Sequence, residues 1–289
     1  MAPSETPWPE DYSQAWTLRE SVERRGVGLH SGSTTRLRLQ GSDRPGYWVG
    51  SLQAPARPLQ RLEPSQVSDT QLCTTLQLEQ GRLATVEHLL SALAGTGVSQ
   101  AEVLIDGEEI PLLDGSAAPW VEAIAEAGIQ AMGPRSPVPS PREPITLQLG
   151  AGFATALPAS VLRVGAAIEF PQAAIGRQLF SIELTPCAYV REIAPARTFG
   201  FSQQVEQLRA AGLIQGGGLD NALVCDGERW LNPPLRFVDE PVRHKLLDLL
   251  GDLALAGLPL AQVFAYRGSH ALHTALASAL AGPAGASTP

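Results

Sequence analysis

The sequence predicts an α+β protein of two similar domains, each a β-sheet layered with helices, the helices of one domain facing those of the other. Three observations carry that expectation. Strand-like alternation and the 3.6-residue helical period occur side by side in both halves of the chain. A proline-rich stretch, Gly133 followed by Pro134, Pro137, Pro139, Pro141 and Pro144, divides the chain near its middle. A pattern also recurs on either side of it. His88-Leu-Leu runs to Leu-Ala-Gly95 and then Ala101-Glu-Val-Leu-Ile105, while His244-Lys-Leu-Leu runs to Leu-Ala-Gly257 and then Ala261-Gln-Val-Phe-Ala265. Each time a histidine opens an apolar helix that stops at Ala-Gly and returns as a strand, as expected of two domains built alike.

Taken in order, residues 1–14 read as a flexible tail and 15–133 as the N-terminal domain. Trp16–Val22 and Thr34–Leu39 have strand character, Leu37 and Leu39 alternating with Arg36 and Arg38. Between them, the glycines of Gly26-Val-Gly-Leu-His-Ser-Gly32 suggest a tight turn. Leu72–Leu78 reads as a strand carrying Cys73. A helix is expected over Thr85–Gly95, with Thr85 as its cap, Val86, Leu89, Leu90 and Leu93 as its apolar stripe and Gly95 as its stop. A strand at Ala101–Ile105 and a helix at Trp120–Ala127 complete the domain. Residues 134–144 form the linker, and 145–281 the C-terminal domain, with 282–289 a second tail. Strands are expected at Ile145–Leu149, Val161–Ile168 and Leu179–Leu184, then a Ser-capped helix near Ser202–Ala211 and a short strand at Ala222–Cys225. The helix Pro241–Leu253, a strand at Gln262–Tyr266 and a last helix after His270 follow.

Composition narrows the function. With 289 residues, 44% of them hydrophobic, the chain can bury two substantial cores. A net charge of −8 gives no broad basic footprint for nucleic acid. Three cysteines make neither a disulfide scaffold nor zinc-ribbon spacing. Met1–Asp11 lacks the basic and apolar regions of a signal peptide. The most apolar window, Leu253–Ala265, is broken by Gly257 and Pro259 and falls short of the roughly 20 residues needed to cross a bilayer. A cytoplasmic protein with no transmembrane segment is expected, as a monomer.

Chemistry concentrates on two helices. In the second, His244, Asp248 and Asp252 fall at i, i+4 and i+8, one polar stripe on an otherwise apolar helix. An imidazole and a carboxylate one turn apart can grip a metal ion, and they fit an intrahelical ion pair equally well. In the first, His88 follows Glu87, and neighbouring helix residues point about 100° apart. A metal held by His88, His244 and Asp248 would keep a fourth position open for water, and Glu87 beside it could accept a proton. The glycine run 216–218 lacks the Lys and Ser/Thr of a phosphate-binding loop. His30 reads as structural, and Asp114-Gly-Ser116 as a helix-entry turn.

Thr85-Val-Glu-His-Leu-Leu-Ser-Ala-Leu-Ala-Gly95, Glu109-Ile-Pro-Leu-Leu-Asp-Gly-Ser-Ala-Ala-Pro119, Ala196-Arg-Thr-Phe-Gly-Phe201, Val242-Arg-His-Lys-Leu-Leu-Asp248 and the 26–32 turn together resemble the UDP-3-O-acyl-N-acetylglucosamine deacetylases, the zinc amidases at the committed step of lipid A synthesis. The resemblance runs from about residue 17 to 280. It implies that His88, His244 and Asp248 bind Zn²⁺, with Fe²⁺ the alternative metal, and that Glu87 is the general base. His270 becomes the second acid/base residue, Asp252 its orienting carboxylate, and Thr198 a hydrogen-bond donor to the oxyanion. Lys245 would contact the polar head of a UDP-acylated amino sugar. The segment at about 199–225 would be an inserted subdomain forming the acyl-chain passage, with Phe199, Phe201, Leu208, Ala211, Leu213 and Ala222 as lining and Cys73 at the site's edge.

Three departures bear on substrate contacts. The family's last motif usually reads Ser-Gly-His-Ala-Leu-Asn, whereas this chain has Gly268-Ser-His-Ala-Leu-His273. Ser33 replaces a common Lys, and a common His-Pro is missing from Phe170-Pro-Gln-Ala-Ala-Ile175. These leave open an amidase of the same fold acting on another acylated sugar nucleotide, or a catalytically silent binding protein.

Overall fold

The computed structural model describes residues 8–282. Residues 1–7 and 283–289, within the two expected tails, lie outside it. Within residues 8–13, Pro9 is buried and the Tyr12 hydroxyl donates to the Gly95 carbonyl at 2.9 Å, while Glu10, Asp11 and Ser13 are exposed. The first half contributes β1 (Gln14–Leu18), β2 (Val22–Val27), β3 (Thr34–Gly41), β4 (Gly46–Ser51), β5 (Gln60–Arg61), β6 (Val67–Asp69), β7 (Thr75–Leu78), β8 (Gly81–Leu83), helix α1 (Glu87–Gly95), β9 (Val98–Ile105), α2 (Ala118–Ala127) and β10 (Ile129–Pro134). The second half contributes β11 (Ile145–Leu149), β12 (Gly152–Pro158), β13 (Arg163–Glu169), β14 (Arg177–Glu183), α3 (Pro186–Glu192), β15 (Phe199–Phe201), α4 (Val205–Ala210), β16 (Leu223–Cys225), α5 (Glu240–Leu253), β17 (Ala261–Tyr266) and α6 (His270–Ala281). The mixed α+β class is as the sequence predicts.

The strand that follows each histidine helix becomes the hub of its sheet. β9 runs parallel to β1 and β4 and antiparallel to β3, in the order β10-β1-β9-β3-β2 with β4 pairing β9 and β5. β17 sits centrally in β11-β12-β17-β13-β14, parallel to β13 and antiparallel to β12. Burial follows the pleat: Thr35, Leu37 and Leu39 point inward on β3, and Ala261, Val263 and Ala265 on β17. α1 and α2 pack on the first sheet and α5 and α6 on the second, and α1 lies directly against α5. The layers therefore run sheet, helices, helices, sheet.

α1 and α5 meet closely in the molecule's middle. Gly251 makes it possible: a Cβ there would come within 2.6 Å of the Glu87 carbonyl carbon and closer still to its oxygen. α5 is buried nearly all round, as expected of a helix sealed between a sheet and another helix.

Local chemistry moves several boundaries. The strand expected over Trp16–Val22 divides at residues 19–21 into β1 and β2. Thr85 does not cap α1; it sits at φ 58° with its hydroxyl donated to Glu109 Oε1 at 3.0 Å, and the helix begins at Glu87. Leu72 lies at φ 63°, so β7 starts only at Thr75. Ser202 opens a 3-10 turn without a side-chain cap, and α4 begins at Val205. Helix α3 has no sequence counterpart above. Two turns are too short to show a period, although Thr185, whose hydroxyl accepts from the Ala188 amide at 3.1 Å, and Pro186 at the first position do mark its start.

Candidate active site

α1 and α5 bring their polar groups to one buried point. His88 Nε2 lies 3.7 Å and His244 Nε2 3.3 Å from Asp248 Oδ1, and the two imidazoles meet edge to face with centroids 5.0 Å apart. All three side chains are at most 5% exposed. His244 is oriented from behind, its Nδ1 3.1 Å from the Ala196 carbonyl. Asp248 Oδ2 accepts from Lys245 Nζ at 2.8 Å, while Oδ1 has no hydrogen-bond partner.

The charge states suit metal ligation. Burial, with His244 alongside, pushes the His88 imidazole down to about 3, and burial lowers His244 as well, so both present neutral nitrogens. Burial alone would raise Asp248; His244 and the Lys245 ammonium overcome it and hold the carboxyl well below the usual range. An unsatisfied buried carboxylate oxygen facing two neutral imidazole nitrogens lacks a positive centre. These three side chains form a group that could hold a metal ion.

Glu87 opens α1 next to His88 and is 2% exposed. Its Oε2 accepts the Thr74 amide at 3.0 Å, and burial, helped by Asp252 and Asp248, raises its carboxyl to about 7. On α6, His270 Nδ1 lies 2.9 Å from Asp252 Oδ2. Burial by itself would lower His270, but the Asp252 charge and hydrogen bond raise it to about 9. The site thus holds a carboxylate that loses its proton near neutrality and an imidazolium that keeps one, the pairing needed for a base and an acid. Asp252, His270 and His273 also cluster tightly enough to hold a metal. There, however, both Nδ1 atoms are already hydrogen-bonded to Asp252, and no carboxylate oxygen is left unsatisfied.

Around this centre, Phe199 stands with its ring 6.3 Å from His244 and 5.7 Å from Lys245 Nζ, and it packs on Phe170 and Phe201. Thr198 is half-buried, its amide donating to the Gly115 carbonyl at 2.7 Å. Lys245 is engaged with Asp248 rather than free in solvent, and it also lines a cleft of about 240 Å³ with Phe170, Pro171 and Arg267. Cys73 is buried, and burial with Glu87 nearby pushes its thiol up to about 12, so it is an inert neighbour. Leu213 is half-buried in the segment between β15 and β16, where Ile214, Gln215 and Gly216 bond back onto His30 and Leu29 of the glycine turn.

Four further residues, none given a site role by the sequence, support this centre. Thr74 spans two functional carboxylates, its amide on Glu87 and its hydroxyl on Asp252 Oδ1 at 2.5 Å. Glu109 gathers the amides of His30 and Ser31, both at 2.8 Å, with the Thr85 hydroxyl, tying the glycine turn to the entry of α1. Glu240, fully buried at the start of α5, holds Arg197 at 2.8 Å and the Arg236 amide at 2.6 Å. Arg236 in turn pairs with Asp114 at 2.8 Å, so the helix-entry turn is also a brace between the halves.

Residues 15–282 match the LpxC family, UDP-3-O-acyl N-acetylglycosamine deacetylase. The UDP-3-O-acyl-N-acetylglucosamine deacetylase of Thermosynechococcus vestitus is 49% identical over 92% of this chain and 93% of its own length. That of Trichormus variabilis is 47% identical over 90% and 96%. A probable UDP-3-O-acyl-N-acetylglucosamine deacetylase of Arabidopsis thaliana, labelled mitochondrial, is 42% identical over 90% and 86%. Among the described residues no helix is long and apolar enough to cross a membrane. With this extent of identity across nearly the whole of each sequence, the chain belongs to the UDP-3-O-acyl N-acetylglycosamine deacetylase family.

Proposed function

We propose that the chain hydrolyses the N-acetyl amide of UDP-3-O-acyl-N-acetylglucosamine, giving the free 2-amine and acetate, the reaction that the resemblance places in lipid A synthesis. The observation that carries this is the unsatisfied Asp248 oxygen between two neutral imidazoles, flanked by Glu87 and His270. Two nitrogens and one carboxylate oxygen are a donor set for Zn²⁺ that leaves a position open. When bound, the ion acidifies water and polarises the amide carbonyl.

The protein's own groups supply the rest. Glu87, an ionised carboxylate above about pH 7, accepts a proton from the attacking water as its oxygen bonds to the carbonyl carbon. The His270 imidazolium, held protonated by Asp252, gives its proton to the nitrogen as the C–N bond breaks, because an unprotonated amine is a poor leaving group. Thr198 donates to the developing oxyanion. Lys245 meets the anionic head of the nucleotide, and Phe199 and Leu213 line the path of the acyl chain, with Cys73 at its edge. We place the reaction in the cytoplasm, with every proposed site group drawn from one chain.

The test is turnover of UDP-3-O-acyl-N-acetylglucosamine by wild type and by Glu87→Ala, with bound metal measured on both. Wild type is expected to release acetate with about one metal per chain. Glu87→Ala keeps the metal and loses turnover. Substantial residual turnover in the variant refutes the assigned base, and far less than one metal in wild type refutes the ligand set.

A further inference from the structure

Asp252 is fully buried and accepts three hydrogen bonds. Its Oδ1 takes the Thr74 hydroxyl at 2.5 Å, and its Oδ2 takes two imidazoles, His270 Nδ1 at 2.9 Å and His273 Nδ1 at 3.1 Å. The two histidines lie three residues apart on α6, with centroids 6.3 Å apart and planes at 78°. An ionised carboxylate only accepts, so both Nδ1 atoms carry protons. For His273 the opposite nitrogen enforces the same tautomer. Its Nε2 is buried without a partner, so tight against Gly268 that a Cβ there would overlap it. A proton on Nε2 would be a stranded donor and would turn the Nδ1 lone pair onto the carboxylate.

We propose that His273 is a positioning residue for the deacetylation, an inference that rests on the reading above. It touches no substrate. The carboxylate torsion of Asp is broad, and a single donor at one oxygen leaves the plane free to rock. Thr74 fixes Oδ1 from the first half of the chain, and the Nδ1–H of His273, on a helix position 1% exposed, fixes Oδ2. Only then is the second lone pair of Oδ2 aimed to hold His270, leaving His270 Nε2 as the atom that faces the scissile amide. Burial keeps His273 below its ordinary pKa, so it contributes a fixed dipole and not a second charge. Without its donor, Oδ2 would be held by His270 alone, and the acid would set its own orientation.

Two variants separate orientation from packing: His273→Leu keeps volume without a donor, and His273→Asn restores one donor. Turnover of UDP-3-O-acyl-N-acetylglucosamine, bound metal, thermal unfolding and the His270 Nδ1–H resonance are measured on both and on wild type. His273→Leu is expected to lower kcat by roughly 10- to 100-fold with KM and metal content unchanged, and to broaden that resonance. His273→Asn recovers most of kcat and the sharp resonance. Wild-type kcat in His273→Leu, equal losses in both variants, or a loss matched by unfolded or metal-free protein each overturns the proposal. If wild type itself fails to turn over this substrate, the deacetylase reading falls. The resonance in the three proteins then decides on its own whether His273 orders the His270 ring.

Discussion

Gly251→Ala sets two magnitudes against each other. On helix propensity alone, replacing a mid-helix glycine with alanine stabilises by about 1 kcal/mol. The new methyl group, however, would lie 2.6 Å from the Glu87 carbonyl carbon and 2.8 Å from its Cα, where ordinary contact is 3.4–4 Å. What it meets is backbone, which no side-chain rotation can clear, so α1 and α5 must separate by about 1 Å. Overpacking of this kind costs about 1–3 kcal/mol, which exceeds the propensity gain. The functional loss is larger, because the same separation pulls Glu87 and His88 away from His244 and Asp248. A shift of about 1 Å in reacting groups costs on the order of 100-fold in rate. Urea unfolding gives the first quantity, and kcat/KM with metal content the second. A variant more stable than wild type and fully active would show that the helices do not meet this closely, and the placement of Glu87 beside Asp248 would go with it.

The pH profile reads His270. Its pKa is raised from 6.5 to about 9, so the imidazolium persists below that value and kcat/KM is expected to fall as pH rises through it. Asp252→Asn removes the charge that raises it and should move that limb to lower pH; an unmoved limb would mean another group titrates. Glu240→Gln breaks the ion pair between the fully buried Glu240 carboxylate and the partly exposed Arg197 and is expected to cost about 3 kcal/mol in urea unfolding. A loss below about 1 kcal/mol would show the pair to be ordinary surface electrostatics. Stripping the metal with a chelator should lower Tm reversibly, by the equivalent of about 4 kcal/mol when free Zn²⁺ had stood at 1,000 times its Kd. A Tm indifferent to chelation would show that the three ligands hold nothing.

The parts of this molecule visible in the sequence are those written in a single period. The apolar stripes of α1 and α5 and the His244/Asp248 spacing need only one helix to be read, and the repeat of helix then central strand needs only two copies. What escaped depends on residues far apart in the chain. Nothing near Thr74 says that its amide will meet Glu87 and its hydroxyl Asp252, 178 residues away. Thr85 is a good cap by residue type, yet the buried Glu109 carboxylate claims its hydroxyl and the chain takes a left-handed turn instead. The exchange of Asn for His273 was legible as a change, but its partner is defined only once α6 packs on α5.

The ligand set also has a meaning for the chain as a polymer. His88 and His244 come from opposite sides of the proline-rich stretch, so an ion gripped by both closes a loop of about 150 residues, much as a disulfide would. A cross-link of that span removes a large share of the unfolded chain's freedom, and it can form only after both helices have folded and docked. The ion would therefore fasten the two halves as well as serve the reaction. A molecule that has lost it would keep the packing of α1 on α5, the Thr74–Asp252 hydrogen bond and the Asp114–Arg236 brace, but not the one link that reaches from the metal site through both histidine helices at once.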